Sequence, residues 1–170
     1  LIAVMDREVG RLHDELDSAG LADDTIVMFW SDHGNGLPRA KRWVYDSGLR
    51  VPLIVRVPEK YREWAGVGIA GSRDERMVSL LDLGPTVLSL AGVSLPAGLS
   101  GQPFLGPDAH RGRRYIHGAR DRLDERQDLV RSVRTERYRY VRNLMPWYPA
   151  LQEVAYGERN ETLKEWRRLG

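Results

Sequence analysis

The most constraining feature of the sequence is an apolar, β-branched and aromatic run at residues 25–30, followed at once by a polar, glycine-containing segment at residues 31–36. Such a run is typical of a strand buried on both faces, as in a parallel sheet. Before it, apolar residues recur at helical spacing, and Gly20 stands where a left-handed C-cap is expected. This order predicts an α/β fold whose ligands bind beyond the strand carboxyl ends. The apolar stripe of the helix consists of Ile2, Met5, Val9, Leu12 and Leu16.

Further elements extend this α/β segment. Residues 51–57 form a second apolar run near two prolines and predict another strand. Residues 59–75 are polar and contain glycine, which indicates a loop. A helix is predicted at residues 83–91, with Asp82 as its N-cap. Residues 94–107 are rich in proline and glycine and predict a linker or an extended loop.

Beyond residue 107 the pattern changes to short strands. Residues 115–118 predict one strand, and residues 129–134 and 137–142 predict a hairpin. Antiparallel strands that follow an α/β segment predict a small α+β subdomain. We therefore expect an α/β domain at residues 1–107, with a mainly parallel sheet and flanking helices. The antiparallel subdomain would occupy residues 108–170 and end in an amphipathic helix around residues 161–168.

Composition limits the chemistry of the chain. It has 26 Lys and Arg against 24 Asp and Glu, so it is not a polycation. Arginines and tyrosines of the predicted hairpin could bind nucleic acid, but nearby acidic residues compensate the charge, and we predict no such partner. The absence of cysteine excludes a disulfide, a thiolate metal site and a cysteine nucleophile within this sequence. No apolar run approaches the roughly 20 residues that span a bilayer, and we predict no membrane partner.

Asp32 and His33 are the candidate metal ligands. A carboxylate and an imidazole at the end of a strand can reach one cation if the backbone has left strand geometry, which Gly34 and Gly36 favour. Oxygen ligands suit calcium or magnesium, and an imidazole also permits manganese or zinc. The same short sequence also occurs in turns that hold no metal, so the spacing leaves both interpretations open.

Lys41, nine positions after Asp32, is the candidate anion-binding residue. A lysine beside a metal can neutralise an oxyanion as a compact point charge. The alternative is that Lys41 and Arg42 form a solvated basic pair on the surface. The residue types alone do not distinguish these roles.

Four blocks in a fixed order resemble the sulfatase family of the alkaline-phosphatase-like superfamily. The ordered match extends over about residues 4–92. Later segments are similar to the C-terminal region of some bacterial members. The four blocks are residues 6–12 with the helix leading to 20–25, the strand ending in 31–34, Lys41 with 45–55, and 78–88; the later segments are 120–122, 124–125, 131–134 and 138–140.

The resemblance implies roles for three residues. Asp32 and His33 match the paired metal ligands of the family, and the implied ion is Ca²⁺, with Mn²⁺ or another divalent ion as alternatives. Lys41 matches the lysine that contacts the sulfate, where it would stabilise developing negative charge. The implied substrate is a sulfated small molecule or glycan. Many sulfatases have asparagine at the position of His33, which keeps a phosphonate or phosphodiester hydrolase of the same superfamily open.

His117, Arg120 and Arg122 are further candidates for substrate binding. They follow or lie in a predicted strand and could reach the rim of an active site to contact polar groups of a substrate. The alternative is a strand histidine with satisfied contacts, accompanied by surface ion pairs. The sequence does not separate the two.

The family's nucleophile is missing from this sequence. It is a formylglycine made from the Cys or Ser of a Cys/Ser-x-Pro-x-Arg motif, and the nearest string, residues 94–98, ends in glycine. We therefore expect the C-terminal part of a sulfatase, completed by an N-terminal part and inactive alone. A non-catalytic binding domain is the remaining alternative. Missing sheet strands would expose an apolar edge, which predicts a possible homo-oligomer.

Overall fold

The computed structural model describes residues 1–169 and has a mixed α/β architecture. The chain divides into two compact units, each built from segments that are separate in sequence. The first comprises Leu1–Phe29, Ile54–Asp74 and Leu81–Arg111; the second comprises Trp30–Leu53, Glu75–Leu80 and the chain from residue 112 onward. The helices are α1 (Ile2–Ser18), α2 (Asp46–Leu49), α3 (Arg62–Ala65), α4 (Leu83–Leu90) and α5 (Glu161–Leu169), and the strands are β1 (Val27–Trp30), β2 (Leu53–Arg56), β3 (Ile116–Leu123), β4 (Arg126–Arg134) and β5 (Arg139–Asn143).

Helix α1 forms where the apolar stripe predicts it. Gly20 has φ of 67°, and the backbone N–H of Leu21 donates to the carbonyl of Leu16 at 2.9 Å, so the left-handed end of the helix is confirmed. No residue of α1 is buried, and Ile2 and Leu12 are 79% and 57% exposed. The helical periodicity is therefore present, while much of its apolar face stays exposed within residues 1–169.

Strands β1 and β2 form a two-stranded sheet, close to the two predicted positions. The prediction that the first strand is buried on both faces is wrong for the described residues, because Trp30 is 46% exposed and no residue of β1 is fully buried. Residues 1–169 add no third strand to this sheet. Burial on both faces requires neighbouring strands and covering elements that two strands cannot supply.

The segment predicted as a loop at residues 59–75 contains a short helix. A 3-10 turn at Glu59–Tyr61 leads into α3, which ends at Gly66 with φ of 68°. Ala65 is fully buried, and the indole N–H of Trp64 donates to the carbonyl of Leu90 at 3.1 Å. The sequence did not predict this helix because it is a single turn with one buried residue, too short for an apolar periodicity.

Helix α4 holds the proline- and glycine-rich segment through its side chains. Asp82 occupies the predicted N-cap position of α4, but its side chain makes no capping hydrogen bond, and its carboxylate accepts from the backbone N–H of Gln102 at 2.8 Å. Thr86 accepts from the backbone N–H of Phe104, and the Ser89 hydroxyl accepts another loop amide, each at 3.1 Å. These three acceptors stand at helical spacing on one face. The segment is therefore an extended loop packed on α4.

Strands β3, β4 and β5 form an antiparallel sheet in that order, which confirms the predicted hairpin and subdomain type. Strand β3 continues past the predicted residues because Asp124, with φ of 52°, turns it into β4. Tyr138, just before β5, and Tyr140, within it, are 65% and 63% exposed. Helix α5 is also confirmed. Among the described residues, no helix has the length and apolar character needed to cross a bilayer.

Candidate functional site

Asp32 and His33 lie in a loop that leaves β1 and is fastened to α2. The backbone N–H of Gly34 donates to the carbonyl of Gly48 at 2.9 Å, and the Ser31 hydroxyl donates to the carbonyl of His33 at 2.7 Å. A Cβ atom on Gly34 would lie 1.8 Å from the carbonyl oxygen of Ser47. Only glycine allows this close approach, so the loop depends on the residue that follows the predicted ligands.

The side chains of Asp32 and His33 face each other. Nε2 of His33 lies 3.5 Å from a carboxylate oxygen of Asp32, whose side chain is 82% exposed. Nδ1 of His33 lies 2.6 Å from the carbonyl oxygen of Gly34, which can only accept, so Nδ1 is the donor. Nε2 is then the ring nitrogen that faces the carboxylate and is placed to bind a cation. A fixed imidazole of this kind is what a metal-binding histidine requires.

These two residues supply only part of a metal shell. Across residues 1–169, no three His, Asp or Glu side chains are grouped closely enough to hold an ion. Calcium takes about six to eight oxygen ligands, so one carboxylate and one imidazole would leave most positions open. The carboxylate and the imidazole are suitable ligands for a divalent cation, but two ligands are too few to form a complete site.

Lys41 lies in a loop that contacts a segment near the C-terminus. Its backbone N–H donates to the carbonyl of Asn35 at 2.9 Å, and its Nζ lies 5.3 Å from the centre of the Tyr156 ring. A groove runs past Lys41 and Tyr156, and neither Asp32 nor His33 lines it. The structure thus brings the two candidate ligands together, while their convergence with Lys41 stays a prediction.

The backbone around Lys41 adopts unusual conformations. Arg39 and Arg42 have φ of 63° and 73°, a region that side-chain-bearing residues rarely occupy. The Arg42 guanidinium donates to the Asp124 carboxylate at 2.7 Å and lies 3.9 Å from the centre of the Tyr156 ring. Such conformations persist when the surrounding structure holds them, and such strain clusters at functional loops.

Of the three predicted substrate-binding residues, only His117 has an exposed side chain without a hydrogen bond in the described chain. Arg120 is 8% exposed, forms an ion pair with Asp128, and places its guanidinium 4.3 Å from the centre of the Trp43 ring. Arg122 donates to the carbonyls of the β3–β4 turn at 3.2 and 3.3 Å. A substrate contact from either arginine would have to replace these intramolecular contacts.

A cluster around Asp46 was not predicted from the sequence. Its carboxylate accepts hydrogen bonds from Arg134, at 2.9 Å, and from Arg139. Arg139 also donates to the carbonyl of Val44 at 2.6 Å. Burial lowers the pKa of the Arg139 guanidinium, while the charge of Asp46 opposes that effect. The cluster fastens the chain just beyond Lys41 to the β4–β5 hairpin. In the sequence, the only indication of this cluster is that residues of opposite charge occur in two distant segments.

A sulfatase family model matches residues 1–93, which include Asp32, His33 and Lys41. The chain therefore belongs to the sulfatase family. An ulvan-active sulfatase of Formosa agariphila is 40% identical over 168 residues, which is 99% of this chain and 27% of that relative. The human N-sulphoglucosamine sulphohydrolase is 39% identical over 93 residues, or 55% of this chain and 17% of that relative. The chain thus spans about a quarter or less of the length of these relatives.

Solved structures show the same fold. The structure of BT4656 in complex with its substrate, D-glucosamine-2-N,6-O-disulfate, superposes with a TM-score of 0.65 at 22% sequence identity. The superposition covers 99% of this chain and 37% of that one. The architecture of residues 1–169 is therefore that of a portion of a larger sulfatase.

Proposed function

We propose that this chain is the C-terminal part of a metal-dependent sulfatase that hydrolyses sulfate esters or sulfamates. The observation that carries the proposal is the family match over residues 1–93, because it includes all three candidate site residues. The name of the human relative refers to N-sulphoglucosamine, a sulfated sugar, and this supports a sulfated glycan as the substrate class.

Lys41 would bind the sulfate group. Within residues 1–169 it has no carboxylate partner, so its charge is available to an anion. Hydrolysis breaks the bond between sulfur and the bridging atom, which is oxygen in a sulfate ester and nitrogen in a sulfamate, and negative charge grows on that leaving atom. An ammonium group held nearby stabilises this charge more in the transition state than in the substrate, which lowers the barrier.

Asp32 and His33 would contribute two ligands to a divalent ion, which we propose to be Ca²⁺. The bound ion would supply charge stabilisation to the sulfate oxygens. His33 is oriented for this role by its hydrogen bond to the carbonyl of Gly34 at 2.6 Å, and Asp32 supplies the anionic oxygen beside it. The other ligands and the nucleophile would come from a part of the protein outside residues 1–170, so we expect the chain alone to bind Ca²⁺ weakly and to release no sulfate.

A chimera tests this proposal. The chain replaces the matching segment of the Formosa agariphila sulfatase, with which it shares 40% identity. We expect sulfate release from a sulfated glycan in the presence of Ca²⁺. Replacing Lys41 with alanine should lower kcat/KM by about 10²–10³-fold, and Asp32→Asn should lower it as well, because the site loses an anionic oxygen ligand.

Lys164→Ala is the matched control, because this lysine lies on the surface of α5 and pairs with Glu161. It should leave kcat/KM within about twofold of the parent chimera. A folded chimera that cleaves phosphodiesters but not sulfate esters would contradict the sulfatase proposal and favour the phosphodiester hydrolase. Equal effects of Lys41→Ala and Lys164→Ala would remove Lys41 from the sulfate site.

A further inference from the structure

The loop that carries Lys41 lies against a segment near the C-terminus. We call residues 35–43 the lysine loop and residues 151–160 the C-terminal strap. The two segments border one groove within the second unit. The groove is lined by Leu37, Arg42 and Trp43 from the lysine loop and by Leu151, Val154 and Tyr156 from the C-terminal strap.

Tyr156 is the first contact between the two segments. Its ring centre lies 5.3 Å from Nζ of Lys41 and 3.9 Å from the guanidinium carbon of Arg42. An aromatic face attracts cations, so one ring draws together two groups of like charge that would otherwise repel. A ring, unlike a carboxylate, leaves the charge of Lys41 uncancelled. It can therefore direct the ammonium group without removing its capacity to bind an anion.

Asn160 is the second contact. Its side chain makes one hydrogen bond to the lysine loop and another to the start of α5. Its side-chain N–H donates to the carbonyl of Gly36 in the lysine loop at 2.8 Å. Its side-chain oxygen accepts from the backbone N–H of Leu163 at 3.1 Å, which caps the start of α5. One side chain thus ties the lysine loop to the first turn of a helix.

The C-terminal strap is itself anchored to the β3–β4 hairpin. The carboxylate of Glu125 accepts from the backbone N–H of Ala155 at 2.8 Å, and the side chain of Gln152 donates to the carbonyl of Gln127 at 2.8 Å. The guanidinium of Arg126 donates to a strap carbonyl at 2.9 Å. The lysine loop needs such a support, because two of its residues adopt positive φ.

We infer that the C-terminal strap positions Lys41, with Tyr156 and Asn160 as positioning residues. The functional part of this inference rests on the proposed role of Lys41 in sulfate binding. A lysine side chain has four rotatable bonds and many solvated conformations. The Tyr156 ring restricts the ammonium group, and the Asn160 amide restricts the loop, before an anion binds. Anion binding would therefore cost less conformational entropy.

Limited trypsin digestion of the chain tests the inference without measuring turnover. Trypsin cleaves after Arg39, Lys41 and Arg42, all inside the lysine loop. Asn160→Ser keeps a capping oxygen for α5 and removes the donor to Gly36. Tyr156→Leu removes the ring, and Tyr156→Phe keeps it as the matched control.

We expect Asn160→Ser and Tyr156→Leu each to accelerate cleavage in the lysine loop about five- to tenfold, because local opening becomes easier when a contact is lost. Tyr156→Phe should stay within about twofold of the parent chain. Cleavage after Arg131, in the central strand β4, reports global opening and should not change. Circular dichroism of Asn160→Ser should show that α5 is retained.

Two results would overturn the positioning role. One is unchanged loop cleavage in both Asn160→Ser and Tyr156→Leu. The other is an equal acceleration at Arg131, which would make the C-terminal strap a general element of stability. Sodium sulfate, compared with sodium chloride at equal ionic strength, provides a separate arm: protection of the loop in the parent chain and its loss in Lys41→Ala support sulfate binding. Absence of this protection would contradict the proposed role of Lys41 and leave the strap result standing.

Discussion

Gly34→Ala should disrupt the loop that holds Asp32 and His33. The added Cβ would lie 1.8 Å from the carbonyl oxygen of Ser47, whereas real Cβ contacts stay beyond 3.0 Å. The atoms that this Cβ would meet belong to the backbone of Ser47 and Gly48, so the loop or α2 would have to move by about 1.2 Å or more, the difference between these distances. That movement would stretch the hydrogen bond from Gly34 to Gly48, which is 2.9 Å long.

The expected cost follows from two contributions. Forcing extra volume into a packed site costs about 1–3 kcal/mol, and losing one hydrogen bond adds about 0.5–1.5 kcal/mol. We therefore expect Gly34→Ala to lower the free energy of unfolding by about 2–4 kcal/mol. For a chain of this size, each kcal/mol corresponds to about 2–4 °C, so Tm should fall by roughly 5–15 °C.

Gly36→Ala is the matched control in the same loop. A Cβ at Gly36 meets nothing within 4 Å, and its φ is not in the left-handed region. Its effect should therefore be neutral or stabilising by up to about 1 kcal/mol, because alanine restricts the unfolded chain. Thermal and urea unfolding followed by circular dichroism measure both variants. Equal Tm values for the two variants would refute the steric argument.

Two further predictions concern charged groups of the second unit. Asp128→Asn should destabilise the fold by about 3–5 kcal/mol in urea unfolding, because it leaves the buried Arg120 charge unpaired, whereas Asp121→Asn in an exposed pair should cost at most about 1 kcal/mol. Similar costs would contradict the burial argument. The hydrogen bond from the backbone N–H of Ala155 lowers the pKa of Glu125, so the stabilising effect of this contact is present above the ordinary pKa of a glutamate and is lost as the pH falls through the lowered pKa. Glu125→Gln should flatten the dependence of Tm on pH between pH 5 and 3; an unchanged slope would refute this role.

Much of the secondary structure could be predicted because its signals are local. The stripe from Ile2 to Leu16 and the glycine that follows it specify α1 without reference to any other element. Alternation along residues 137–142 likewise predicts the second arm of the hairpin, β5. The errors occurred where a partner decides the outcome. Asp82 stands at the predicted N-cap position, but its carboxylate accepts from the backbone N–H of Gln102 and not from an amide of α4.

The candidate site divides in the same way. The sequence by itself determined that a carboxylate and an imidazole follow β1 and that the glycine beyond them permits a sharp turn, since neighbouring residues share one short backbone path. Only the tertiary structure decided that the ring of Tyr156 faces Lys41, that Arg120 is buried against Trp43, and that Asp46 binds two arginines. The two members of each pair are far apart along the chain. Their contact depends on how strands and loops pack, which a local sequence pattern does not predict.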